Sequence, residues 1–174
     1  MPNWCMNELD ITGPNLDLDR FIEMCNCKHI NWGYKKNPAD LIEYEFGFSG
    51  LVYPSSEMIA EGYNYQWCLD NWGTKWQPSE AAIFREPEKV HINFDTAWTP
   101  PEPWVKIVAR LFPTLRFELK YCEPGCCFGG VLVCKGDEVV ENHEYVDDDD
   151  FRSFCIKEFG LSPFDDDTEE MKDF

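Results

Sequence analysis

His91, Asn93 and Asp95 fall at alternate positions of Val90-His91-Ile92-Asn93-Phe94-Asp95, a spacing that sets all three on one face of a strand. Leu115 to Tyr121 alternates in the same way and puts Arg116, Glu118 and Lys120 on its polar side. Arg116 and Glu118 can therefore face His91 and Asp95 across a sheet. An imidazole among carboxylates is the raw material of acid-base or nucleophilic catalysis, so His91, Asn93, Asp95, Arg116 and Glu118 form a candidate surface site. No G-x-S-x-G elbow, phosphate-binding glycine loop or H-E-x-x-H motif accompanies them. The wet side of an ordinary strand has the same composition, so no catalytic residue is assigned and an enzyme is the lesser reading.

Cys25-Asn26-Cys27-Lys28-His29, with Cys122, Cys126 and Cys127, supplies the thiolates and imidazole that Zn²⁺ selects. The spacing is poor: no C-x₂-C pair exists, and Cys25 and Cys27 diverge on a helix unless it ends between them. The nine cysteines are an odd number without the spacing of a small disulfide scaffold. They read as reduced thiols that pack as small hydrophobes, and no metal or cofactor is expected.

The strongest compositional feature is charge. Residues 1–136 carry 12 basic and 18 acidic side chains, whereas 137–174 carry 3 and 15, so the end of the chain holds -12 of the net -18. Such a field repels nucleic acid and anionic membranes, whose binding depends on Lys and Arg. The polar strand positions also lack the exposed aromatics on which RNA-binding sheets stack bases. Direct nucleic-acid binding is disfavoured, and a protein with a basic surface is the expected partner. The residues offered to it are Asp147, Asp148, Asp149, Asp150, Asp165, Asp166 and Asp167. The first run also suits a helix N-terminus, where carboxylates cap free N–H groups, and charge blocks are commonly just solvated.

The elements that must position these residues follow from periodicity. Leu9 and Ile11 alternate with Glu8, Asp10 and Thr12 before the turn Gly13-Pro14, a strand. Leu18, Phe21, Ile22 and Cys25 then share a helical face, with Asp17 and Asp19 in the first turn. Ala81 to Phe84 and Val90 to Asp95 are the next two strands. Pro100, Pro101 and Pro103 start a helix whose stripe is Trp104, Ile107, Val108 and Leu111 and which Pro113 ends. The strand Leu115 to Tyr121 completes a βαββαβ order, the ferredoxin-like split βαβ fold of the α+β class.

Phe128 to Lys135 adds a strand behind the turn Glu123-Pro124-Gly125, and Phe151, Phe154, Cys155 and Phe159 mark a last helix with an Asp N-cap and Gly160 as its stop. One domain spans residues 1–136, with an insertion at about 30–78 between the first helix and the second strand. Residues 137–174 form an acidic extension packed on it or trailing from it, and Asp165 to Phe174 should fray. Within the insertion, Ile42, Tyr44, Phe46 and Phe48 suggest a short edge strand, and Gly62 to Trp76 reads as aromatic and irregular. Asn31-Trp32-Gly33 and Asn71-Trp72-Gly73 begin two copies of N-W-G-x-K-x-x-P, read as turns anchored by their Trp.

Four segments together resemble a known family: Pro2-Asn3-Trp4-Cys5-x-Asn7-x-Leu9-x-Ile11-x-Gly13, Asn71-Trp72-Gly73-Thr74-Lys75-Trp76, Phe94-x-Thr96-Ala97-Trp98-x-Pro100-Pro101, and Tyr121-x-Glu123-x-Gly125 with Phe128-x-Gly130. This is the YubB-like family of ferredoxin-like domains found on plasmids and bacteriophages. The resemblance spans residues 2 to about 135 and implies the ferredoxin-like fold, no stated reaction, and a mobile element as the setting. With no secretory leader at Met1 to Asp10 and no membrane-length apolar run, the expected location is the cytoplasm of a bacterial host cell. The expected function is a non-enzymatic accessory protein that inhibits or titrates a host protein, an anti-CRISPR-like or other anti-defence role included. The alternatives are a small metal-dependent or acid-base enzyme and a nucleic-acid-handling accessory protein.

Overall fold

The computed structural model describes residues 3–26, 28–30, 41–43, 45–146 and 148–161. A six-stranded antiparallel sheet runs in the order β4-β5-β1-β6-β7-β8. Its strands are β1 (Trp4–Thr12), β4 (Ser79–Glu86), β5 (Lys89–Ala97), β6 (Arg116–Glu123), β7 (Phe128–Lys135) and β8 (Glu138–Tyr145). Strands β4-β5-β1-β6, with helices α1 (Asn15–Cys25) and α4 (Glu102–Leu111), make the ferredoxin-like unit. The expected hairpin is present, with β6 and β7 pairing from Arg116 with Lys135 to Glu123 with Phe128.

Strand alternation decides which side chains meet. Leu9, Ile11, Val90, Ile92, Phe94, Phe117, Leu119 and Leu132 point to one face and are buried there with Leu18, Phe21 and Cys25 of α1 and Trp104, Val105 and Val108 of α4. Phe21 sits edge-on to Phe112 and Phe117, both 5.8 Å away. The buried stripe of α4 is rotated from the expected one: Val105 and Ala109 face inward, while Leu111 is 54% exposed. Apolar residues occur on both sides of this helix, so periodicity did not distinguish them.

The insertion is built into the core. It contains β2 (Lys28–Ile30) and β3 (Leu41–Glu43), which pair as a separate two-stranded sheet, then a 3₁₀ turn at Phe48–Gly50, α2 (Ser56–Glu61) and α3 (Tyr65–Trp72). The expected edge strand therefore stops before Phe46, and Phe46 and Phe48 instead enter the main core, 4.9 Å from Phe94 and Trp104 respectively. Gly62 to Trp76 is not irregular: Asn64 caps α3 by accepting from Trp67 N, Cys68 and Trp72 are buried one turn apart, and Gly73 closes the helix at φ +80. Asn71-Trp72-Gly73 is thus a helix end. Its counterpart at residues 31–38 lies outside the described residues.

Buried polar groups fasten this segment. The indoles of Trp72 and Trp104 donate to Val52 O at 2.9 Å and Phe48 O at 3.1 Å. Gln77 accepts from Phe48 N at 2.7 Å and donates to Ser49 Oγ at 2.6 Å. Each bond satisfies a carbonyl or amide that burial would otherwise strand.

The acidic extension folds onto the same domain. β8, unforeseen in the sequence, pairs with β7 from Lys135 with Glu138 to Gly129 with Tyr145, interrupted by a bulge at Val140. Helix α5 (Asp148–Phe159) lies on the opposite face of the sheet from α1 and α4, where Phe151, Phe154 and Cys155 bury against Cys122, with Met6, Val131 and Tyr145 around them. The polar face expected to be wet is covered at this end. Gly160, at φ +66, terminates α5 as expected. Asp147 and Asp165 to Asp167 lie outside the described residues, and Asp148 is placed only as the first residue of α5.

Candidate functional site

The uncovered part of that second face carries a ladder of charge. β1 lies between β5 and β6, so Asp10 is opposite both His91 and Glu118, and Glu8 is opposite both Asn93 and Lys120. His91 and Asp95 are consequently not neighbours of Arg116 and Glu118: one strand, and about 9.5 Å of sheet, separates the two groups. The candidate surface site divides into two.

On the β5 side, Asp10 sits 2.8 Å from His91 Nδ1 and 3.0 Å from Lys89 Nζ. Burial pushes the Asp10 carboxyl up, but the hydrogen bonds and charges of His91 and Lys89 outweigh it and hold the group below its ordinary range. A carboxylate orienting an imidazole is half of a nucleophile-activating device. Among the described residues no hydroxyl or thiol is hydrogen-bonded to His91, whose described partner is Asp10. Farther along, Asp95 is raised by burial and then by Glu80, and Glu8 is raised by burial against the opposing charges of His91 and Lys120. Glu80 reaches Asp95 from the β4 bulge, where its φ is +52. Met6, Asn93 and Phe159 complete a shallow hollow of about 230 Å³ there.

On the β6 side, Arg116 donates to Glu118 at 2.7 Å, and Lys120 bridges toward Glu118 at 4.0 Å and bonds Glu158 of α5. Burial alone would lower Lys120, yet Glu158, Glu118 and Glu8 hold it above the ordinary lysine value. Glu158 is held below the ordinary glutamate range by Lys120 and then Lys157. Between α5 and β8 this leaves a groove of about 470 Å³ lined by Glu118, Lys120, Glu141, Tyr145, Asp150 and Phe154, among others. Of the expected acidic residues, Asp150 lies in this groove and Asp149 is exposed. Sequence reasoning missed Asp10 and Glu8 as site members, although their alternation with Leu9 and Ile11 was plain, and missed Glu141 and Tyr145 with the strand that carries them.

The described cysteines are spread over both faces of the sheet. Cys25 belongs to the main core, whereas Cys122 lies under α5 on the other face. Among the described residues no three His, Cys, Asp or Glu side chains converge on a metal position. Cys27 and the His29 side chain lie outside the described set. Burial raises the thiols of Cys5, Cys122, Cys134 and Cys155 and pushes Cys68 up to about 12.

Parts of the four segments that carried the family resemblance meet at one end of the sheet, while Gly13 lies at the other beside Glu88 and Leu115. Trp4 is opposite Ala97, Asn7 Nδ2 donates to Thr96 Oγ1 at 2.9 Å, Thr74 Oγ1 donates to Ala97 O at 3.0 Å, and Thr99 Oγ1 donates to Gly73 O at 2.6 Å. Glu123 accepts from the backbone of Gly125 and Cys126. Tyr121 Oη donates to Glu102 at 3.0 Å and passes over Gly130, where a Cβ would lie 2.5 Å from that hydroxyl. Most of these groups are buried junctions, and their geometry is that of a framework.

Comparison with known proteins agrees with this architecture. The family model described as "Ferredoxin-like domain in Api92-like protein" matches residues 71–172. The crystal structure of the protein Api92 from Yersinia pseudotuberculosis is similar with a TM-score of 0.64 at 11% identity, over 83% of this chain and 98% of that one. No curated protein matches. Among the described residues, no helix is long and apolar enough to cross a membrane.

Proposed function

This chain belongs to the family defined by the ferredoxin-like domain of Api92-like proteins, and from that premise we propose that it is a non-enzymatic binding protein that captures a basic protein through the acidic surface of β8 and α5. The observation that carries the reading is the state of the β8 carboxylates. Glu138, Glu141 and Glu144 are exposed on a hydrogen-bonded edge strand, and among the described residues none has a cation within ion-pair distance. Folding holds these charges in place without neutralising them. A surface of this kind speeds encounter with an oppositely charged partner and penalises wrong ones.

The YubB-like resemblance supplies the setting of the proposal: an accessory protein of a phage or plasmid, acting in the cytoplasm of the bacterial host. The partner it would inhibit or titrate is a host protein, with an immunity effector as the leading class. A pull-down from bacterial lysate compares the wild type with the triple variant Glu138→Gln/Glu141→Gln/Glu144→Gln at low and moderate salt. A basic protein retained by the wild type, released as salt rises and lost in the variant is the expected result. Retention of no basic protein, or equal retention by the variant, overturns the reading.

A further inference from the structure

The groove between α5 and β8 has more structure than an acidic patch. Its base is apolar: Val131 of β7, and the rings of Tyr145 and Phe154 stacked with centroids 4.4 Å apart and planes 20° from parallel. Four carboxylates border it, from Glu118, Glu141, Asp150 and Glu158, against the two ammonium groups of Lys120 and Lys157. Those cations are already engaged. Lys120 and Lys157 both bond Glu158, and Arg116 holds Glu118. Glu141, from the strand, and Asp150, from the helix, are left without a cation within ion-pair distance among the described residues.

We propose that this groove receives an arginine side chain of the basic partner, an inference that rests on the protein-binding reading above. Three features select a guanidinium. It is planar and can lie against the half-buried ring of Tyr145, which covers the buried Phe154. Its fork of donors can engage carboxylates arriving from two elements at once, which a point-like ammonium does less well. It is also more weakly hydrated than an ammonium, so it loses less on entering a half-apolar groove. The volume of about 470 Å³ exceeds that of one side chain, leaving room for the partner backbone that presents it.

The test uses the full chain and two short synthetic peptides of equal length and charge, one rich in arginine and one rich in lysine, titrated calorimetrically at low salt. Ser153, exposed on α5 at the groove, is replaced in Ser153→Trp to fill the space, with circular dichroism confirming the fold. Glu141→Gln removes a groove carboxylate. Glu144→Gln makes the same charge change on the other side of β8, since alternation turns Glu144 away from the groove. The arginine peptide should bind about tenfold tighter than the lysine peptide. That preference should vanish in Ser153→Trp, and Glu141→Gln should weaken arginine binding several-fold more than Glu144→Gln. Equal binding of both peptides, with Glu141→Gln and Glu144→Gln equally weakened, overturns the arginine pocket while leaving the acidic-surface reading in place. Binding of neither peptide overturns both.

Discussion

Lys120 on β6 bonds Glu158 on α5, so one ion pair ties the acidic helix to the sheet it covers. The lysine side chain is 25% exposed and the glutamate 14%, which leaves the pair only partly screened. Lys120→Met should lower stability by about 1 kcal/mol, read as a fall in Tm. Hydrogen exchange should show the α5 amides losing protection ahead of the central strands β1 and β5. Unchanged α5 protection would show that the apolar anchors alone hold the helix.

The carboxyls on this face predict opposite responses to pH. Glu158 is depressed by Lys120 and Lys157, so its contribution is complete above the unfolded glutamate value of about 4.3 and is lost as pH falls through the lower folded value. Asp95 is raised by burial and by Glu80, so its ionised form costs stability at neutral pH, and protonation relieves that cost. Asp95→Asn should therefore raise Tm at neutral pH, with the difference shrinking as pH falls through the carboxylate range. Glu158→Gln should lower Tm at neutral pH, and its deficit should fade in acid. Melting curves from acid to neutral pH check both, and same-sign effects would contradict the electrostatic account.

Two glycines should respond very differently to a methyl group. At Gly130 a Cβ would lie 2.5 Å from Tyr121 Oη and 2.6 Å from His143 O, so Gly130→Ala must displace a tyrosine bonded to Glu102 or part β7 from β8. A loss of about 3 kcal/mol is expected. At Gly136, φ is +58 but the nearest atom is 3.7 Å away, so Gly136→Ala carries only the backbone cost of about 1 kcal/mol. Denaturant midpoints distinguish the two, and equal losses would refute the close packing of Tyr121 over Gly130.

Thiol reactivity should follow burial. Cys126 is exposed and Cys127 half-exposed, whereas Cys5, Cys25, Cys68, Cys122, Cys134 and Cys155 are buried. Alkylation of the native protein at mildly alkaline pH should label Cys126 and Cys127 among these eight and spare the others until denaturant is added. The pull on Cys126 from Glu123, which raises its thiol, should make even that reaction slow. Rapid native labelling of Cys122 or Cys155 would mean that α5 opens readily.

The parts of the fold legible in the sequence were those where one face is buried and the other is wet. Leu9 and Ile11, Val90 to Phe94, and Leu115 to Tyr121 all show the alternation that a covered sheet imposes, while β7 is marked by its apolar run behind the turn Glu123-Pro124-Gly125. β8 escaped because every one of its residues except Tyr145 is exposed, so no apolar period marks it. α3 did carry its signals, namely the Asn64 cap, Cys68 and Trp72 one turn apart, and Gly73 after the end. The Trp-Gly pair there was read as a turn rather than as a helix terminus. The site was less legible than the fold. His91, Asp95, Arg116 and Glu118 lie on the face expected of them, but the split βαβ order assigned to the chain already sets β1 between β5 and β6, so Arg116 and Glu118 could not face His91 and Asp95 directly.

The C-terminal extension has two physical duties that cannot be separated. Its Phe151, Phe154 and Cys155 shield Met6, Cys122 and Val131 from water, while β8 of the same extension presents its carboxylates to solvent. Truncation after Lys135 would therefore bare a greasy strip, and the shortened chain should self-associate rather than persist as a smaller, less acidic domain. Charge changes on the outward side of this segment leave the fold intact only while Phe151, Phe154 and Cys155 stay in place beneath it.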